Sequence, residues 1–236
     1  MEEKYFLPGS GKQIEFTLKR IELTNPAILV IGSFSGAIAM RLADKYDSDV
    51  NIIVEDTESF LNTNLILPAA GRVKTSVMSY EITDFDDASF DLIYAQASIS
   101  NDRRNKIVKE IKRILKPGGC LSVGEMVKLK KEVPPFVNNI FSGSQLDPLF
   151  TEEVAGYYTK RNFNLIEEVD LTSTLKEYYM ESAGKLNDAL YELSENEKKY
   201  NKKLLNKISH ETNAYLKLGA EKFIGFKYLL LRKGEN

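Results

Sequence analysis

Gly32 and Gly36 stand four residues apart, directly after the apolar run Ala27-Ile-Leu-Val-Ile31. A strand that empties into small residues lets the backbone turn tightly and approach a ligand, as nucleotide-binding loops do. Between the two glycines lie Ser33, Phe34 and Ser35, and a phenylalanine is out of keeping with such a loop. If Phe34 needs a positive φ, the strain costs on the order of 1–2 kcal/mol. Its ring either turns inward into the ligand space or outward onto the neighbouring helix. Glu55 and Asp56 close the next apolar run, Val50-Asn-Ile-Ile-Val54, and place two carboxylates at a strand end.

Other chemistry is thinly supplied. The only cysteine, Cys120, opens an apolar run and reads as a buried structural thiol. With one cysteine and one histidine, His210, neither a disulfide framework nor a cysteine- or histidine-based metal site is expected. His210 falls in a helical stretch and reads as an exposed helix residue. No general base stands out. Glu125, near the end of an apolar strand, is the better polar candidate, against a plainer reading as a partly exposed strand acid.

These residues need a scaffold that brings strand ends together. Strands are expected at 27–31, 50–54, 73–80, 90–96, 120–127, 163–171 and 223–232, the early ones alternating with helical stretches. Ile38, Leu42 and Tyr46 share one helical face behind Ser35, a candidate cap. Ile107, Ile111 and Leu115 share another, behind Asn101 or Asp102. Residues 133–150 read as turn-rich, and 151–161 as a helix capped by Thr151. The long stretch 172–219 carries two apolar stripes joined near Ser194-Glu-Asn-Glu197, which suggests a helical hairpin. The alternation predicts a doubly wound, Rossmann-like α/β domain: a mostly parallel seven-stranded sheet with a helical insertion before the last strand. The whole chain, 1–236, is expected to form one domain. It divides into an N-terminal segment (1–26), a ligand-binding core (27–127) and a helical lid (172–219).

Composition bounds the partners. With 43% hydrophobic and 28% charged residues and a net charge of −2, the chain reads as an ordinary cytoplasmic globular protein. That balance argues against bulk electrostatic binding to nucleic acid or to an anionic membrane. The charged N-terminus has no apolar signal core, and no apolar run approaches membrane-spanning length. The basic runs Lys128–Lys131 and Lys198–Lys203 read as solvated faces.

Four segments in order give the sequence a family likeness. They are Val30-Ile-Gly-Ser-Phe-Ser-Gly36, the strand-end Glu55, Asp84-Phe-Asp-Asp-Ala-Ser-Phe-Asp-Leu-Ile93, and Glu110-Ile-Lys-Arg-Ile-Leu-Lys-Pro-Gly-Gly119. Together they resemble the class I S-adenosylmethionine-dependent methyltransferases, and within them the small-molecule group that includes the ubiquinone and menaquinone biosynthesis enzymes. The resemblance implies a cofactor site of Gly32, Ser33, Phe34 and Gly36 at the methionine portion and Glu55 on the ribose hydroxyls. Asp56 lies beside them, Ser79 and Tyr80 near the adenine, and Ala95 and Gln96 near the methionine end. It implies S-adenosylmethionine as cofactor, S-adenosylhomocysteine as product, no metal, and a small-molecule acceptor; a homodimer is left open. Two positions depart from the pattern: Val30 stands where the family commonly has an acid, and Phe34 replaces the middle glycine. Ser79 likewise lacks the acid usual for adenine. These departures motivate a second reading, a methyltransferase-like binding or assembly module without catalysis. Tyr178 and Tyr179 in the insertion are candidates for facing an amine or sulfonium, although aromatics at helical spacing more often pack.

Overall fold

The computed structural model describes residues 5–68 and 70–235. Its sheet is built on β1 (Ile28–Ile31), a short run of branched aliphatic residues buried on both faces. β1 pairs in parallel with β2 (Val50–Val54) on one side and β4 (Phe90–Gln96) on the other. β3 (Val73–Val77) extends the sheet beyond β2, and β5 (Leu115–Lys128) lies beyond β4. β8 (Ile224–Lys233) inserts antiparallel between β5 and β7 (Phe163–Asp170). The order is β3-β2-β1-β4-β5-β8-β7, with the two-residue β6 (Leu149–Phe150) added on β5. The expected fold class is thus the observed one, enlarged by β6.

Alternating side chains divide the core into two layers. Val30, Ile52, Tyr94, Phe226 and Tyr228 face one layer, with Ile38 and Leu42 of α2 (Gly36–Tyr46). Leu29, Ile31, Ile93, Leu121 and Val123 face the other. There Ile107 and Ile111 of α4 (Arg104–Ile114) and Tyr158 of α6 (Val154–Thr159) complete the packing. Val30 is wholly buried in this core.

Several boundaries differ from the sequence reading, each for a local reason. The N-terminal segment contains a helix, α1 (Lys12–Arg20), whose inward face is partly polar: Gln13, Ile14 and Thr17 are buried. Thr17 Oγ1 lies 2.7 Å from Ser122 Oγ, so α1 is fastened by hydroxyls as well as by Ile14 in the apolar core. The turn-rich stretch holds α5 (Pro135–Gly143), with Pro135 in the first turn, where its missing N–H costs nothing. Ser35 sits at the start of α2, but its hydroxyl donates back to the Gly32 carbonyl at 2.6 Å instead of capping. Asn101 Oδ1 accepts from Arg103 N at 2.9 Å, bracing the turn before α4. α6 begins at Val154 after a turn, so Thr151 is not its cap. β3 stops at Val77, and Ser79 forms only an isolated bridge to Ile82. Lys116-Pro-Gly-Gly119 is a bulge: Leu115 pairs with Phe90 and Cys120 with Leu92, so the four residues loop out, with Gly118 at φ 73°. Cys120 is buried, and burial pushes its thiol pKa up.

The insertion before β8 consists of α7 (Thr174–Glu192), α8 (Glu195–Tyr200) and α9 (Lys202–Lys217). Ser194 and Glu197 form a reciprocal capping box that turns the chain between α7 and α8. Tyr179 stacks on Tyr215 with ring centroids 4.2 Å apart, tying α7 to α9. Among the described residues no helix is long and apolar enough to cross a membrane.

Candidate functional site

The carboxyl ends of β1, β2 and β4 meet where the strand order reverses, the position at which open α/β sheets take ligands. The turn after β1 depends on Gly32. Its φ is 131°, and a Cβ there would stand 2.8 Å from Ser98 Cβ. Ser98 in turn donates to the Ile31 carbonyl at 2.7 Å, so β1 and the loop after β4 are held in close contact. Phe34 takes the left-handed conformation, φ 60°, that the middle of the loop demands. The residue is 63% exposed, so its ring is not buried against a neighbouring helix. Gly36 opens α2, and a Cβ there would meet Ile66 Cδ1 at 2.6 Å. Ser33 donates to Ser59 Oγ at 2.8 Å, joining the loop to α3 (Thr57–Ile66).

The two carboxylates after β2 have separate partners. Asp56 is the N-cap of α3, its Oδ1 accepting from Ser59 N and its Oδ2 from Ser59 Oγ, each at 2.7 Å. Those two bonds hold its carboxyl below the ordinary range. Glu55 Oε1 accepts from Tyr80 N at 3.2 Å and from Arg103 Nη1 at 2.7 Å, and its Oε2 from Arg103 Nη2 at 2.5 Å. Burial pushes the Glu55 carboxyl up, but the Arg103 fork and the Tyr80 N–H outweigh it, so the pKa is lowered. Arg103, which sequence reasoning did not single out, also lies 3.6 Å from Glu81.

The remaining predicted residues divide between surface and core. Ser79 is exposed, its hydroxyl accepting from Glu81 N at 3.3 Å. The Tyr80 ring is buried in the α4-side core, which pushes its hydroxyl pKa upward. The Ala95 carbonyl accepts from Gln13 Nε2 at 3.2 Å. Gln96 accepts from Tyr94 Oη at 2.5 Å and donates to the carbonyls of Pro8 and Ser10 at 2.7 and 3.0 Å. It therefore straps the N-terminal segment over the end of β4. Among the described residues Gln13 Oε1 is buried without a hydrogen-bond partner, and Gly124 leaves the space it occupies: a Cβ at 124 would lie 2.0 Å from it.

Glu125 is not a partly exposed strand acid; it is 1% exposed. It accepts from Tyr158 Oη and Ser100 Oγ, each at 2.5 Å, and from Arg104 Nε at 3.1 Å. These bonds fasten β5 to α4, α6 and the loop after β4. Tyr178 is half-buried against Phe6, with centroids 5.3 Å apart, and Tyr179 is buried against Tyr215. His210 is exposed on α9. Residues 7–10, Gln13, Ser98 and Arg103 complete the neighbourhood. Only their partners, far away in sequence, reveal them.

This strand order, with a glycine turn after β1, an acid after β2 and one antiparallel strand near the far edge, defines the Rossmann-like class I methyltransferase fold. A family described as "Methyltransferase domain" matches residues 29–123. The ubiquinone/menaquinone biosynthesis C-methyltransferase UbiE of Rickettsia rickettsii is 30% identical over 172 residues, covering 68% of this chain and 68% of that relative. The sterol 4-C-methyltransferase strm-1 of Caenorhabditis elegans is 27% identical over 138 residues. That match covers 52% of this chain and 41% of the nematode protein, so this chain spans less than half of its length. Among solved structures, a phosphoethanolamine N-methyltransferase of Haemonchus contortus, with S-adenosylhomocysteine bound, superposes with a TM-score of 0.76 at 20% identity, covering 97% of this chain and 54% of that one. The [4+2]-cyclase SpnF superposes with a TM-score of 0.73 at 19% identity, covering 95% and 81%. The chain belongs to the class I S-adenosylmethionine-dependent methyltransferases.

Proposed function

We infer that the protein transfers a methyl group from S-adenosylmethionine to a small-molecule acceptor in the cytoplasm. The observation that carries this reading is the pairing of a glycine turn at Gly32 with a carboxylate at Glu55 on adjacent strand ends. The residues fit the cofactor. Gly32 gives the loop its tight turn close against Ser98, and Glu55 has the acceptor chemistry for a ribose diol. Gly32 to Gly36 would border the methionine portion, while the buried Ala95 and Gln96 would act on its far side only through the N-terminal segment that Gln96 holds. The exposed Ser79 offers a hydroxyl near the adenine.

When bound, the cofactor supplies a methyl group on a cationic sulfur, an electrophile that reacts with an in-line nucleophile. This chain's contribution is then placement and exclusion of water. The strap of residues 7–10, held by Gln96, and the α7–α9 insertion are suited to cover the acceptor. Tyr178 supplies an aromatic face beside Phe6 for a cationic or planar group. Glu125 is saturated by its own partners and serves as a structural pin rather than a base.

A second reading is favoured by two observations: the fork of Arg103 on Glu55, and a fold shared with a protein named a cyclase. On that reading the site has left methyl transfer and serves binding, assembly or another reaction. Calorimetric titration with S-adenosylmethionine and S-adenosylhomocysteine separates the two. Binding at micromolar concentration supports the enzyme, whereas no heat from either ligand at millimolar concentration removes it.

A further inference from the structure

Glu55 carries about four lone-pair positions, two on each oxygen. Arg103 Nη1 and Tyr80 N fill those of Oε1, and Arg103 Nη2 takes one of those on Oε2. One position is left, while a ribose diol donating both hydroxyls needs two. The arithmetic leaves the carboxylate one acceptor short as long as the arginine fork is closed on it.

The surroundings let that fork open. Arg103 and Glu55 are 38% and 27% exposed, so neither charge is committed to a dry interior. A second carboxylate, Glu81, already stands 3.6 Å from Arg103 Nη1 and is shared with Lys106 at 3.2 Å. Arg103 also borders a cleft of about 440 Å³, lined by Asn101, Asp102, Gln145, Leu146 and Asp147. Releasing the fork therefore leaves both groups in partial contact with water and offers the guanidinium another anion.

We propose that Arg103 is a latch on the ribose end of the cofactor site: closed on Glu55 it withholds the carboxylate, and it swings toward Glu81 when the ribose arrives. The latch rests on the cofactor reading given above. It makes cofactor affinity a competition between one cation and one diol for the same two oxygens. Its sign is distinctive, because deleting a residue that touches the site strengthens binding. Salt supplies a second signature. Screening weakens the two-pronged Glu55 fork more than the single, longer Glu81 contact that replaces it, and leaves the hydrogen bonds of a neutral diol, so affinity in the unaltered protein rises with ionic strength.

The test is calorimetric titration of S-adenosylhomocysteine into the full chain and into Arg103→Ala and Arg103→Lys, at low salt and at about 0.5 M salt. Arg103→Ala is expected to bind about 2- to 5-fold more tightly at low salt, the range a forked ion pair partly in water can withhold, with Arg103→Lys in between. The advantage should shrink at high salt through a gain in the unaltered protein. Equal or weaker binding by Arg103→Ala overturns the latch and leaves the cofactor reading standing. An unaltered protein whose affinity does not rise with salt overturns it as well. Absence of binding by all three proteins overturns the cofactor reading and the latch with it.

Discussion

Arg103 and Arg104 are neighbours at the start of α4, and each holds a carboxylate at the same edge of the sheet. Arg104 pairs with Glu125 at the end of β5, where the side chains are 4% and 1% exposed. Tyr158 and Ser100 add donors there, and Arg104 Nη2 donates onward to the Asp147 carbonyl at 2.6 Å. Arg103 pairs with Glu55 at the end of β2 with both groups partly in water. The chemistry is the same and the consequences are opposite. Breaking the buried pair strands a charge in a dry interior, whereas the exposed pair exchanges partners at little cost. Burial, not residue type, separates a fixed pin from a site that can accept a ligand.

The largest effect expected from that contrast is on stability at the buried pair. Arg104→Ala leaves Glu125 uncompensated, and urea denaturation should show a loss of about 3–5 kcal/mol. Glu55→Ala should cost at most about 1 kcal/mol in the same assay. Its effect appears in cofactor titration instead, as affinity weakened by about 10- to 100-fold through loss of hydrogen bonds to a charged acceptor. Comparable stability losses for the two variants would break the comparison.

Phe34, the exposed position of the glycine loop, should tolerate change. Phe34→Gly removes a left-handed strain and little packing, at the cost of a more flexible unfolded chain. Stability should hold or rise by up to about 1 kcal/mol, read as the denaturation midpoint, with cofactor affinity unchanged or improved. A clear loss of stability would mean that the ring packs.

The smallest effect concerns pH. The Glu55 carboxyl is held below its ordinary value in the folded chain. Its pair therefore stabilises above the unfolded-chain value, about 4.3, and that contribution disappears as pH falls through the lowered folded value. Denaturation midpoints from pH 7 down to about pH 3 should show wild type ahead of Glu55→Gln at neutral pH and converging with it in acid. A gap that stays constant with pH would remove Glu55 from the acid-sensitive part of stability.

Much of the scaffold is legible in the residues because period and punctuation agree. Ala27–Ile31 is too apolar for anything but a buried strand, and the glycines behind it mark the turn. The α1 helix is hard to read because Gln13 and Thr17 flank Ile14 on its buried face, and their partners Ala95 and Ser122 are more than 80 residues away. Paired prolines at 134 and 135 read as a turn, yet the second occupies the first turn of α5, where proline is at home. Glu55 could be found from its place at a strand end. Arg103 could not, since across a separation of 48 positions no pattern foretells the fork. Glu125 was found but misread, because nothing local announces that Tyr158 and Arg104 will enclose it.

The central claim is that the edge formed by Gly32 and Glu55 takes the cofactor. The crystal structure of the protein with S-adenosylhomocysteine tests it most directly. The account predicts the ribose hydroxyls on Glu55, the methionine portion beside Gly32, and Arg103 turned away toward Glu81. A ligand seated elsewhere, with Arg103 still forked on Glu55, would contradict it.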